Sequence, residues 1–213
     1  MRIENELAAR VAVTWFSLRG IDVRDRSRGL EAAVSARAER LRELYPEPSA
    51  ATPVLASARA LYRRLGIDPS RRRPSSEALV RRILQGKGLY RVNTAVDAAN
   101  LASLTYFLPV GLYDLDRIVA GDDSVTLRLG LPGETYAGIG KGEIHLENRP
   151  ALCDDEGSFG NPSADSFRTR VTRQTRNLLF VVFAPAEETA EQLTEHRRLS
   201  VAILAEHVGG TES

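Results

Sequence analysis

The sequence is poor in the residues that usually carry chemistry, and each shortage excludes something. It has one cysteine, Cys153, so it can form neither an intramolecular disulfide framework nor a cysteine-only metal site. Its three histidines are His145, His196 and His207. The last two would share a helix face yet stand about 16 Å apart along it, too far to hold one metal ion. No metal and no cofactor are expected. GxSxG is missing, and no histidine, aspartate and nucleophile fall at a recognisable spacing, so triad hydrolysis is unsupported. The glycine cluster GIGKG at 138–142 departs from the phosphate-loop pattern, with Thr135 and Gly142 at the positions that matter, and is expected to be a tight turn between strands. No stretch approaches the ~18 apolar residues of a membrane span, and the opening MRIENELAAR lacks the apolar core of a signal peptide. A cytoplasmic location and no membrane partner are expected. An excess of one charge is missing too: 29 Lys and Arg against 28 Asp and Glu leave a net +1. Bulk charge therefore points to no nucleic acid, and no DNA partner is expected.

What is present suffices for a sizeable core, since 213 residues favour one domain over 1–213 with a helical amino-terminal portion. ARVAVTWFSL at 9–18 is β-branched and aromatic up to Gly20, which suits a buried strand. Leu30, Val34, Ala38, Leu41 and Tyr45 then recur at helical spacing until Pro46. A second helix is expected from a cap at Thr52 and Pro53 to Gly66, and a third from Ser75 or Ser76 to Gly86, with Glu77 at its positive end. SVTLRL and EIHLEN alternate as half-wet strands, while NLLFVVF at 177–183 is a continuous apolar run suited to a central strand. Ala190 to Val208 reads as a closing amphipathic helix, ended by Gly209 and Gly210. Without regular βαβ alternation, the fold class is α+β: a mixed, largely antiparallel sheet flanked by helices.

Two patterns stand out from this background. In RVNTAVDAAN, residues 91–100, Asn93, Asp97 and Asn100 form one stripe on a helix whose other faces are nearly all apolar. Such a stripe is expected to be buried, and buried polar groups either find partners or line a cavity. The second pattern is basic: Arg63, Arg64, Arg71, Arg72, Arg73, Arg81, Arg82, Lys87 and Arg91 lie within 29 residues, and Arg168, Arg170, Arg173 and Arg176 follow before the apolar strand. Solvated helix faces with salt bridges compete with an RNA phosphate surface as the explanation. On the second explanation Arg71, Arg72, Arg73, Arg81, Arg82, Arg170 and Arg173 would contact RNA.

From Arg91 onward the order NxxVDxxN (Asn93, Val96, Asp97, Asn100), Pro109, Tyr113-Asp114-Leu115-Asp116, Gly133-Glu134 and Thr175-x-Asn177 before an apolar strand resembles the editing domain of the bacterial phenylalanyl-tRNA synthetase beta subunit. This is the B3/B4 domain, and the likeness is greatest to its stand-alone relatives. It is strongest over 65–183. The resemblance implies a B3/B4-like fold, and a tRNA or aminoacyl-tRNA as partner.

Carried over residue by residue, the resemblance implies a depleted pocket. Ala99 stands where the family has a pocket threonine, Gly111 where it has a histidine, and Val181 where it has the glutamate that receives a tyrosine hydroxyl. Asn100 is kept. A site selective for a hydroxyl discriminates through such groups, so selective tyrosyl editing is not expected, and the cavity should be roomier and more apolar. Asp165 and Ser166 replace a family glycine pair and, with Arg168 and Thr169, form either a rebuilt pocket wall or a loop that caps itself. Asn93 and Asp97 are expected to brace the helix, and Asn100 to face a ligand. The implied function is trans-acting deacylation of a mischarged aminoacyl-tRNA, with a specificity other than tyrosyl editing. The alternative is a non-catalytic RNA-binding or small-ligand-binding module on the same fold.

Overall fold

A computed structural model describes residues 1–213, apart from the side chain of Lys141. A short strand β1 (Arg2–Ile3) and helical turn α1 (Asn5–Ala8) lead into β2 (Val11–Arg19). Four helices follow: α2 (Arg28–Leu44), α3 (Ala56–Arg64), α4 (Ser75–Leu84) and α5 (Thr94–Tyr106). The strand-rich part comprises β3 (Val110–Asp114), β4 (Thr126–Leu129), β5 (Thr135–Gly138), β6 (Lys141–His145), β7 (Pro150–Asp154), β8 (Gly157–Asn161) and β9 (Ala164–Asp165). The chain closes with β10 (Asn177–Pro185), α6 (Ala190–Val208) and β11 (Thr211–Glu212).

The fold class is α+β with dominant antiparallel pairing, but the strands form three sheets where one was expected. A four-stranded sheet has the order β11-β2-β10-β3, a five-stranded sheet the order β1-β4-β7-β8-β9, and β5-β6 is a separate hairpin. Among the described strands, only β1 and β4 pair in parallel within a sheet. GIGKG forms the turn of the hairpin, with Gly140 at φ 60°. That left-handed conformation is what the glycine supplies.

After Asn177, β10 is apolar throughout because both of its faces are covered. Leu178, Phe180, Val182 and Ala184 pack into a helical layer with Ala95, Ala98, Ala102 and Leu204 of α5 and α6. Leu179, Val181 and Phe183 point the other way, to Tyr62, Tyr113, Leu152 and Phe159. Each of the larger Leu, Val and Phe side chains among them stabilises the fold by roughly 1.5–3 kcal/mol. A third cluster joins α2, α4 and α5 through Leu41, Val80, Ile83 and Leu104. This cluster also explains a shifted boundary. Ala51 and Leu55 are drawn into it, so Thr52 and Pro53 lie in turns and α3 starts only at Ala56.

Candidate functional site

The NxxVDxxN segment resolves into a cap, one anchor and one side chain free of protein partners. Asn93 precedes α5 as its N-cap, its side chain accepting the Val96 N–H at 2.9 Å. It is buried. Asp97 accepts the Val92 N–H at 3.1 Å, and this single exposed amide replaces the several buried donors that a bracing carboxylate would need. Asp97 and Asn100 are half-buried, so the stripe is not sealed in the core as expected. Among the described residues, the Asn100 amide has no hydrogen-bond partner. Asn100 and Asp97 both line a cleft of ≈ 220 Å³ between α2, the loop after α4, and α5.

That cleft is amphipathic. Leu30, Val34 and Leu89 supply apolar lining, while Glu31 pairs with Arg91 at 2.8 Å and with Arg26 at 3.5 Å across its mouth. Burial raises the Asp97 carboxyl above its ordinary pKa, against the opposing pull of the Val92 amide, Arg91 and Arg26. A carboxylate raised in this way is a better proton acceptor than a solvated one. Arg26 and Glu31 have no counterpart among the residues expected from the sequence. They come from the DVRDRSRGLE run at 22–31, whose mixed charges look like an ordinary solvated helix start, about 70 residues before Asn100.

The family-derived pocket positions do not converge on this cleft. Ala99 is buried in the helical layer, whereas Val181 lies on the opposite face of the four-stranded sheet, directly across from Gly111. The space expected at Gly111 is filled. A Cβ there would come within 2.3 Å of the Tyr113 hydroxyl, and one at Gly160 would do the same, so the Tyr113 ring is wedged between two glycines. The roomier cavity inferred from Gly111 and Val181 is therefore absent: Tyr113 occupies it and packs edge-on against Phe159 at 5.0 Å. Asp165 sits beside the Tyr113 hydroxyl, whose pKa is pushed well up by burial and then by that carboxylate.

The remaining candidate wall ties itself together. Ser166 accepts the Arg168 N–H at 3.0 Å, and Thr169 donates to the Phe159 carbonyl at 3.4 Å. Arg168 forks onto Asp154 at 2.9 and 2.8 Å. The loop caps itself, and Ser166 and Arg168 at the same time line a shallow cleft of ≈ 470 Å³ together with Glu134, Tyr136 and Ser158. Much of the family signature is likewise bracing: Thr175 donates to Asp114 at 2.7 Å, Asn177 to Asp116 at 2.7 Å, and the Phe183 N–H to the Pro109 carbonyl at 3.0 Å. Glu134 takes both guanidinium nitrogens of Arg128 at 2.7 and 2.8 Å, the Leu131 N–H and the Ser158 hydroxyl. These contacts outweigh the effect of burial and bring its carboxyl down to about 2.

Several of the seven arginines expected to meet RNA are already engaged. Glu77, fully buried, is the centre of a cluster with Arg59 and Arg81 at 2.7 Å and Arg73 at 3.6 Å, a far stronger role than a helix-dipole partner. Arg82 donates to the Gly88 carbonyl and lies 3.8 Å from the Tyr90 ring centre. Arg170 stacks on Phe167 at 3.4 Å, while Arg173–Asp25 at 3.0 Å and Arg71–Asp68 at 3.7 Å are exposed pairs that leave both guanidinium groups available. Arg72 is half-buried.

Comparison with known proteins agrees with the architecture. The phenylalanine–tRNA ligase beta subunit of Mycoplasma genitalium is 30% identical over 120 residues, covering 55% of this chain and 14% of the ligase subunit. The crystal structure of an N-terminal fragment of the phenylalanyl-tRNA synthetase beta subunit from Pyrococcus horikoshii superposes with a TM-score of 0.52 at 17% identity, over 99% of this chain and 49% of the fragment. The chain thus spans a minor part of the ligase subunit and about half of the fragment. The family model described as the B3/4 domain matches residues 57–201, and the chain belongs to that family.

Proposed function

We propose that this protein acts on tRNA as a deacylase, cleaving the ester of a mischarged aminoacyl-tRNA in the Asn100 cleft. Support for a tRNA substrate comes from family membership and from a relative named as a tRNA ligase subunit. The observation that carries the site is the Asn100 amide, unpartnered on a cleft it shares with Asp97. Half-buried and open to the cleft, that amide is free to exchange water for a ligand's donor and acceptor. In this reading Asn100 holds the aminoacyl group by hydrogen bonds, and Leu30, Val34 and Leu89 receive its side chain. Water attacks the ester carbon while Asp97 accepts its proton. The C–O bond to the ribose then breaks, and the proton passes to the departing ribose oxygen. Such an ester is already activated, so positioning and one proton acceptor suffice.

A binding module without hydrolysis is the second reading. It is favoured by Tyr113 filling the place of the family pocket and by the lack of hydrogen-bonding side chains at Ala99, Gly111 and Val181. A panel of mischarged tRNAs decides between them. The deacylase shortens the ester half-life of at least one non-tyrosyl species, whereas a binding module lengthens it or leaves it unchanged.

A further inference from the structure

Arg26 lines the Asn100 cleft and also a second, shallower cleft beside it. Arg24, Arg26, Arg173 and Arg176 surround this second cleft, all exposed, against two lining carboxylates, Asp22 and Asp25. The segments that carry these arginines are fixed. The Ile21 N–H donates to the Arg176 carbonyl at 2.8 Å, and Arg24 exchanges hydrogen bonds with Thr94 at the start of α5, through its carbonyl at 2.8 Å and its N–H at 3.0 Å. Thr175, between Arg173 and Arg176, is pinned to buried Asp114. The Arg24 and Arg173 side chains remain available, because the Arg24–Asp22 and Arg173–Asp25 pairs join groups more than half exposed. Ion pairs of that kind are worth little in water. Arg26 pairs loosely with Glu31 at 3.5 Å, and Arg176 gives one guanidinium nitrogen to the Arg173 and Thr175 carbonyls at 2.9 and 3.0 Å. On the rim of the first cleft Tyr90 is 68% exposed, with Arg82 over one face of its ring, which leaves the other face for a base to stack on.

We infer that the second cleft holds the phosphates of a single-stranded RNA end on Arg24, Arg26, Arg173 and Arg176, and so delivers the terminal residue to the Asn100 cleft. Guanidinium forks match phosphate oxygens, and continuity through Arg26 gives the strand a direction. The inference rests on the reading of the protein as tRNA-acting, and it places RNA away from Arg71, Arg72 and Arg73.

The test is binding of uncharged tRNA, and of a short single-stranded RNA, over a range of salt concentrations. It compares the unaltered protein with Arg24→Gln/Arg173→Gln and with Arg71→Gln/Arg72→Gln, with thermal melts confirming that all three fold. The first pair of substitutions should cost tenfold or more in affinity at low salt and flatten the logarithmic salt slope by about 1.4, from roughly 0.7 per lost phosphate contact. The second pair should leave both unchanged. Loss confined to the Arg71/Arg72 variant overturns the inference while leaving the deacylase reading intact. So does polyglutamate competing as well as RNA of equal charge, because the cleft would then be a general anion surface. No RNA binding by the unaltered protein at low salt overturns both readings. Loss of binding in the Arg24/Arg173 variant with no deacylation by the unaltered protein supports the inference and removes only the catalytic reading.

Discussion

Glu134 and Asp97 are both acidic residues of the family signature, and they live in opposite circumstances. Glu134 is saturated by Arg128, Ser158 and the Leu131 amide, and its carboxyl falls to about 2. Asp97 has one backbone donor, and its carboxyl rises. The first region stabilises the strand-rich half. The second holds a partly desolvated carboxylate beside an unpartnered amide, an arrangement that favours a ligand. Likeness to a family therefore does not tell which signature residues do chemistry, whereas the hydrogen-bond accounting around each one does.

The largest effect that sharpens this contrast is in Glu134→Gln. A carboxyl lowered in the folded state contributes stability above its unfolded pKa and loses it as pH falls through the folded value. The substitution is expected to cost about 3 kcal/mol at pH 7, from a fall from 4.5 to about 2. That cost should fade between about pH 4.5 and 2, as read by urea unfolding at several pH values. Next comes Gly111→Ala, which drives a methyl into the Tyr113 ring and is expected to cost about 1 to 3 kcal/mol. Gly111→Ala/Tyr113→Ala should lose less than the sum of the two singles, because the clash has gone. Additive losses would mean that the ring does not fill this space.

The smallest stability effect is expected in Asp97→Asn, and its sign is opposite to that of Glu134→Gln. A carboxyl raised in the folded state favours the fold below its unfolded pKa, and that contribution disappears as pH rises through the folded value. At neutral pH the asparagine variant should thus be as stable as the unaltered protein or slightly more so, while deacylation falls by about 10² or more if Asp97 takes the proton. A clear loss of stability would restore Asp97 to a bracing role.

Much of the fold was legible because its signals are local. The apolar run of β10, the helical spacing of α2 and α6 and the turn at GIGKG each need only neighbouring residues. The site was harder to read, for reasons of distance and parity. Side chains alternate along a strand, so Val181 points away from the layer that holds Phe180, Val182 and Ala99. Tyr113 lies back over Gly111 only because Gly160, from a different sheet, closes its other side. The Glu77 cluster was half visible, since Arg81 lies one turn on, but Arg59 arrives from α3. Arg26 and Glu31 meet Asn100 only once α2 has packed on α5.

The most direct test of the account measures Asn100→Ala and Tyr113→Phe together, each for deacylation of the preferred mischarged tRNA and for thermal stability. Asn100→Ala should lose at least tenfold in kcat/KM with its melting point almost unchanged, because the amide has no partner within the fold to strand. Tyr113→Phe should leave kcat/KM unaltered, since its ring is sealed away from the cleft. Deacylation that survives in Asn100→Ala and fails in Tyr113→Phe would contradict the account and place the chemistry at the family pocket after all.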